Sequence, residues 1–306
     1  MAETDFPRAR LANGEIELSI LLPDSHHGYY RGTRFDWSGI IEYVDYRSHR
    51  FYAPLHAEHD PYRHDSVSGP ADEFAMVNPM GFAEAGPGES FVKIGVGLLE
   101  KGTSDEYLFH GDYRLLRAGT WRIEQGGDWI RFEQVLGGER GWAYRYRKTI
   151  RLLDGEPGFS MDYRLENSGA KTVDINHYNH NFTLIDGLPY GPDYLVEFAF
   201  ATREPRSIDD LAWFRNGAIE VRRPLGDRSL WIQLYEGPGR VDYNAATVRN
   251  QVTGAAVSFE GDAPMERMVF WAVERAACPE PFSRIRLDPG EAKTWFSSYR
   301  FSTDSD

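Results

Sequence analysis

"WAYRYRKTIRLLDGEPGFSMDYRL", residues 142–165, decides the fold class. In its first half Trp142, Tyr144, Tyr146, Ile150 and Leu152 fall on one side of an extended chain, and Arg145, Arg147, Thr149 and Arg151 fall on the other. That period of two is the signature of a half-buried strand. Phe159, Met161, Tyr163 and Leu165 repeat it, and the Asp-Gly-Glu-Pro-Gly between the halves supplies the turn of a hairpin. Further strands are expected at 16–22, 129–136, 194–200, 229–235, 255–260, 268–274 and 294–301, joined by Gly, Pro, Asn and Asp clusters. A single short helix is expected over 207–216, with Ser207 as cap, Asp210 three residues on and Gly217 as stop. Without a fixed repeat or a long linker, residues 1–306 read as one all-β domain, a large antiparallel β-sandwich. The loops 56–73 and 78–89 are expected to border a cleft.

Composition narrows the function. Hydrophobic residues at 41% and aromatics at 14% are ample for a core, and 30 Gly and 17 Pro suit many turns. With 34 basic against 47 acidic residues the net charge is −13, so the average field repels nucleic acid and anionic membranes. No apolar run approaches the roughly 20 residues of a membrane span. The start, "MAETDFPRAR", lacks the pattern of a secretory signal, and a single cysteine, Cys278, excludes an internal disulfide or a cysteine-based zinc cluster. A cytoplasmic location is the expectation.

The chemistry concentrates in "VDINHYNHNFTLIDG", residues 173–187. In a strand, Tyr178, His180, Phe182 and Leu184 share one face while His177, Asn179 and Asn181 share the other. A histidine between aromatic walls can deliver a proton near neutral pH; a core histidine bonded to a backbone carbonyl is the alternative. Buried polar side chains at this density each cost about 1–3 kcal/mol unless partnered, which implies a polar ligand nearby. Glu274 ends the apolar run "MVFWAVE" and is read either as a carboxylate at a site opening or as a solvated strand end.

Residues 137–187, beginning "GGERGWAYRYRKTIRLL" and containing "LENSG", followed downstream by "WAVERAACPEPFSRIRLDPGEAKTWFSSYRF", resemble the galactose mutarotase (aldose 1-epimerase) superfamily. The resemblance covers roughly the C-terminal two-thirds of the chain in order. It implies a twisted antiparallel supersandwich with a sugar in a cleft on one sheet, no metal and no cofactor. It further implies a glutamate that takes the proton of the anomeric hydroxyl and a histidine that protonates the ring oxygen. Carried onto this sequence, Glu274 is the expected base and His180 the expected acid, with about 5–7 Å between them. "YLFHGDYRLLRAGTW" resembles the His-Gly segment that precedes a tryptophan in these proteins, which makes His110 an assisting candidate. The sequence departs from the family two positions after His180, where Phe182 stands in place of a usual tyrosine.

In "YYRGTRFDW", Arg31 and Arg34 beside Trp37 are candidates for an anion clamp and a stacking wall, with solvated arginines on an opening strand as the alternative. Tyr178 and Phe182 are the expected apolar walls around His180. "HAEHDPYRHD" gathers His56, His59 and His64, but at a spacing that suits a polar loop better than a metal. The expected partner is therefore a small-molecule sugar or oligosaccharide, turned over by an isomerase of the mutarotase type. A non-catalytic sugar-binding protein and a polysaccharide lyase or glycoside-active enzyme are the alternatives.

Overall fold

A computed structural model describes residues 6–201 and 206–304. Residues 1–5, which open the N-terminal stretch discussed above, lie outside the described residues. Strands β1 (Arg8–Ala12), β2 (Ile16–Leu21), β3 (Ile40–Tyr46) and β4 (His49–Phe51) form a four-stranded antiparallel sheet in chain order. After β5 (Gly69–Phe74), a small sheet is made by β6 (Ser90–Lys93), β7 (Gly97–Glu100) and β8 (Leu115–Ala118).

A meander follows of β9 (Thr120–Gln125), β10 (Trp129–Glu139), β11 (Trp142–Leu152) and β12 (Gly158–Asn167). The chain then crosses to β13 (Val173–Phe182) and returns through β14 (Tyr194–Phe198), β15 (Arg206–Ile208), β16 (Ala212–Arg215) and β17 (Ala218–Val221). The last six strands are β18 (Leu230–Arg240), β19 (Ala245–Asn250), β20 (Ala256–Gly261), β21 (Met265–Val273), β22 (Ala276–Leu287) and β23 (Ala292–Ser302).

Two sheets matter for the site. An 11-stranded sheet runs β15-β16-β17-β14-β19-β20-β23-β12-β11-β10-β9, and a five-stranded sheet runs β18-β21-β22-β13-β5. Every pairing between strands is antiparallel, as the alternation requires, and β11 pairs with β12 in the expected hairpin with Ile150 opposite Met161. The inner face of the five-stranded sheet packs on the large one: Phe74 and His177 meet Trp295, and His177 meets Tyr163. Lys148 occupies the inward position between Tyr146 and Ile150 and is buried. Its ammonium donates to Asp72 at 2.6 Å and to the Ser38 carbonyl at 2.8 Å, so a lysine stands in a core row without an orphaned charge.

The helix expected over 207–216 is absent; β15 and β16 form a hairpin there instead. Ile208, Ala212 and Phe214 are buried while Trp213 and Arg215 are not, a period of two on a short scale. Asn216 and Gly217, with φ of 53° and 80°, form the two-residue turn into β17 that the sequence reading took as a helix stop. No helix is found among the described residues, and hence none long and apolar enough to cross a membrane.

Candidate active site

The outer face of the five-stranded sheet gathers the candidate residues. Antiparallel register sets Tyr178 opposite Glu73 and His180 opposite Ala71 on one side of β13, and Tyr178 opposite Phe282 on the other. Val269 pairs with Glu280, Trp271 with Cys278, and Trp231 with Trp271. Tyr178, His180 and Phe182 do share one face: the His180 ring stacks on Phe182 at 3.9 Å and 4°, and Tyr178 stacks on Phe282 at 4.0 Å.

The β13–β22 ladder is interrupted. It runs to Tyr178/Phe282 and resumes only as a single bridge between Thr183 and Ala277. Pro279 and Pro281, inside β22, have no N–H to donate, and the Asn181 side-chain amide bonds the Pro279 carbonyl at 2.7 Å instead. Within this gap His180 Nε2 lies 3.2 Å from Glu280 Oε1. Both residues are buried, at 4% and 6% exposure. Burial pushes the Glu280 carboxyl up to about 8 against the pull of Arg34, and burial together with Arg34 holds His180 well below the ordinary histidine range. His180 Nδ1 has no protein partner.

Arg34 forms one side of the site. Its Nε donates to Glu73 Oε2 at 2.8 Å and its Nη2 to the Tyr178 hydroxyl at 3.0 Å, while the guanidinium lies between the rings of Phe35 and Phe109 at 4.4 and 4.5 Å. Glu73 also receives Tyr178 OH at 2.6 Å and Lys93 Nζ at 3.1 Å. Burial raises the Glu73 carboxyl, but Lys93 and Arg34 outweigh it and keep the group ionised below its ordinary range. Arg34 is aimed by the loop before it, where the Tyr30 hydroxyl accepts from the backbone of Arg34 and Phe35 and donates to the His64 carbonyl.

These groups open on a cavity of about 220 Å³ lined by Arg34, His180 and Glu280 at the polar end and by Phe109, Trp271 and Trp231 among its walls. Larger hollows exist, including one of about 490 Å³ on the large sheet, but there Arg300 is engaged by Glu260 and no acid–base pair converges.

The expected site residues are distributed unevenly around this cavity. His180, Phe182 and Arg34 line it, and Tyr178 buttresses Arg34 beside it. Glu274 does not face His180: it lies exposed in the turn between β21 and β22, where its backbone carbonyl accepts from Tyr190. The carboxylate opposite His180 is Glu280, six residues on, in direct contact rather than 5–7 Å away. His110 is exposed in a turn, its ring 6.0 Å from that of His64, which does line the cavity.

Arg31 and Trp37 line a separate hollow of about 480 Å³; Arg31 donates to the His26 carbonyl and lies over the Tyr62 ring. The two arginines therefore do not form one clamp. In the histidine-rich loop His56 pairs with Asp65 and His59 with the Tyr29 carbonyl, so each satisfies a separate structural contact.

The sequence matches no protein-family model and no curated protein. Solved structures do match over nearly the whole chain. A galactose mutarotase-like protein from Clostridium acetobutylicum is similar with a TM-score of 0.60 at 11% identity, covering 99% of this chain and 97% of that one. This chain has the galactose mutarotase-like fold. A putative aldose 1-epimerase from Escherichia coli K12 is similar with a TM-score of 0.56 at 15% identity, covering 97% and 99%. A galactose mutarotase related enzyme from Lactobacillus acidophilus gives 0.55 at 13%, again covering 97% and 99%. The fold thus agrees with the resemblance read from residues 137–187 and the C-terminal segment.

Glu280, Glu73 and Asp72 escaped the sequence reading. Glu280 sits between two prolines, which argue against a strand, and Asp72 and Glu73 follow Gly69-Pro70, which reads as a loop. The signal available for Glu280 was register, because pairing Tyr178 with Phe282 sets residue 180 against residue 280.

Proposed function

We propose that this protein is an aldose 1-epimerase-type mutarotase in which His180 and Glu280 share the proton transfers. The observation that carries the reading is the 3.2 Å contact between an imidazole and a carboxyl group at the floor of an aromatic-walled cavity. Ring opening of a cyclic hemiacetal requires a proton to leave the anomeric hydroxyl and another to reach the ring oxygen. Those two oxygens sit on one carbon, so adjacent protein groups serve both.

Burial leaves the pair's one proton on the Glu280 carboxyl and His180 neutral, so His180 is the group that accepts the proton of the anomeric hydroxyl. The bond from the anomeric carbon to the ring oxygen breaks, its electron pair goes to the ring oxygen, and that oxygen takes the proton from Glu280. Rotation of the resulting aldehyde and reversal of the same transfers yields the other anomer. No net proton is consumed.

A lyase reading fits less well. The Tyr178 hydroxyl, its natural base, is tied to Glu73 and Arg34, and burial raises it well above the ordinary tyrosine range.

The test is exchange NMR on a panel of reducing sugars with and without protein. Accelerated interconversion of α and β anomers, with neither elimination nor cleavage products, supports the proposal; unsaturated products or no acceleration on any sugar contradicts it.

A further inference from the structure

We propose that Trp231 is a stacking platform for the second ring of a reducing oligosaccharide whose terminal ring occupies the His180–Glu280 cavity; this rests on the function proposed above and specifies its substrate class. Trp231 is 62% exposed, and among the exposed large apolar side chains of the described residues it alone lines this cavity. An isolated exposed aliphatic side chain needs no explanation, but a tryptophan at the mouth of a polar-floored cavity has a surface suited to a ligand.

Its placement follows from register. Trp231, at the start of edge strand β18, pairs directly with Trp271 of β21, and the Trp271 ring stands edge-on to His180 with centroids 5.6 Å apart. The outer face of the sheet therefore presents a continuous path from the acid–base pair, along Trp271, to Trp231 at the rim. Strand β18 lies two strand spacings from β22, which carries Glu280, or about 10 Å across the sheet.

The enclosed volume, about 220 Å³, is below the roughly 300–1,000 Å³ typical of pockets that engulf a drug-sized ligand. It suits one ring, and a second ring linked to it must emerge over the rim. Pyranose rings present an apolar C–H face with hydroxyls at the edge, the shape that stacks on an indole while remaining hydrated. The reacting ring must lie inside because only a free anomeric centre can open, so the non-reducing part of the chain is the part that leaves toward Trp231.

Maltose, cellobiose and lactose all end in a reducing glucose, which makes glucose the internal control. Exchange NMR on wild type, Trp231→Ala and Trp231→Phe should show at least one disaccharide with a higher kcat/KM than glucose. Trp231→Ala should lower that value by about tenfold, mainly through KM, and Trp231→Phe should restore most of it. The loss on glucose should be at least about fivefold smaller than the loss on the disaccharide. Equal losses on both sugars, or no loss on the disaccharide, would overturn the platform.

If wild type exchanges no sugar, the mutarotase reading fails, and ligand-observed NMR titration of the same panel decides the platform by itself. Disaccharide binding weakened by Trp231→Ala more than glucose binding retains it; no saccharide binding overturns it. A concentration-dependent dimer in sedimentation that Trp231→Ala abolishes also overturns it, because a second copy would then be the occupant.

Discussion

Asp72 and Glu73 are consecutive residues of β5, and the pleat sends them into two buried polar clusters of different character. Asp72 points into the sandwich, where Lys148 at 2.6 Å, Asn179 at 2.6 Å, His177 at 2.9 Å and Tyr163 at 3.0 Å surround its carboxylate. Burial raises this carboxyl, but Lys148 and His177 outweigh it and leave it at about 2. Its neighbour Asp36, held by Ser38 and Tyr146, is pushed up by burial to about 6 despite Lys148.

Glu73 points outward, and its own partners Arg34, Lys93 and Tyr178 saturate it as well. One and two strands over, saturation ends: His180 has an unpartnered Nδ1, and Glu280 is a carboxyl that burial keeps protonated at neutral pH. The two faces show that buried polarity alone does not mark a site. What distinguishes the outer face is an acid–base pair left incompletely satisfied beside a cavity.

The contrast can be broken first at Lys148. Lys148→Met leaves Asp72 without its cation inside the sandwich and should cost about 3–5 kcal/mol. Chemical denaturation should show this as a lower midpoint, while the His180–Glu280 pair, on the other face, continues to act in the folded fraction. A variant of wild-type stability would mean that the inner cluster is not held by this charge.

Glu280→Gln tests the opposite expectation. The Glu280 carboxyl has a folded value near 8 against an ordinary 4.5, so between those values the native state binds more protons than the unfolded chain and stability is lost as pH rises. The amide cannot ionise, so its melting temperature should exceed that of wild type by a few degrees at pH 8, with the gap shrinking toward pH 5. A gap that widens on acidification would reverse the assignment of burial as the cause.

A smaller effect is the pH profile of anomer exchange. The working pair carries one proton, which it loses as pH passes about 8, so kcat/KM should be level near neutrality and fall above that value. A rise through pH 8 would mean that the fully deprotonated pair is the active form.

These two faces were not equally legible in the sequence. Alternation in residues 142–165 exposes the strands because one side of each is apolar, and the same period separates Tyr178, His180 and Phe182 from His177, Asn179 and Asn181. Lys148 breaks the apolar row that defines its strand, and only its partner Asp72, 76 residues away, explains it. Glu280 is hidden for a related reason: its flanking prolines suppress a strand reading, yet they are what leaves the β13–β22 ladder open at the site. Glu274 looked more suitable because it ends an apolar strand, but a strand end followed by Arg275 is a solvated turn. The helix expected over 207–216 failed because its cap, Ser207, lies within strand β15, while Asp210 and the stop Gly217 belong to tight β turns, which draw on the same small polar residues.

The central claim is that the carboxylate working with His180 is Glu280. Exchange NMR of Glu280→Gln, Glu274→Gln and His180→Ala, on the sugar that wild type interconverts fastest, tests it directly. Glu280→Gln and His180→Ala should each slow anomer exchange by about 10²-fold or more, and Glu274→Gln should stay within about twofold of wild type. A Glu274→Gln variant that loses activity while Glu280→Gln keeps it would contradict the account.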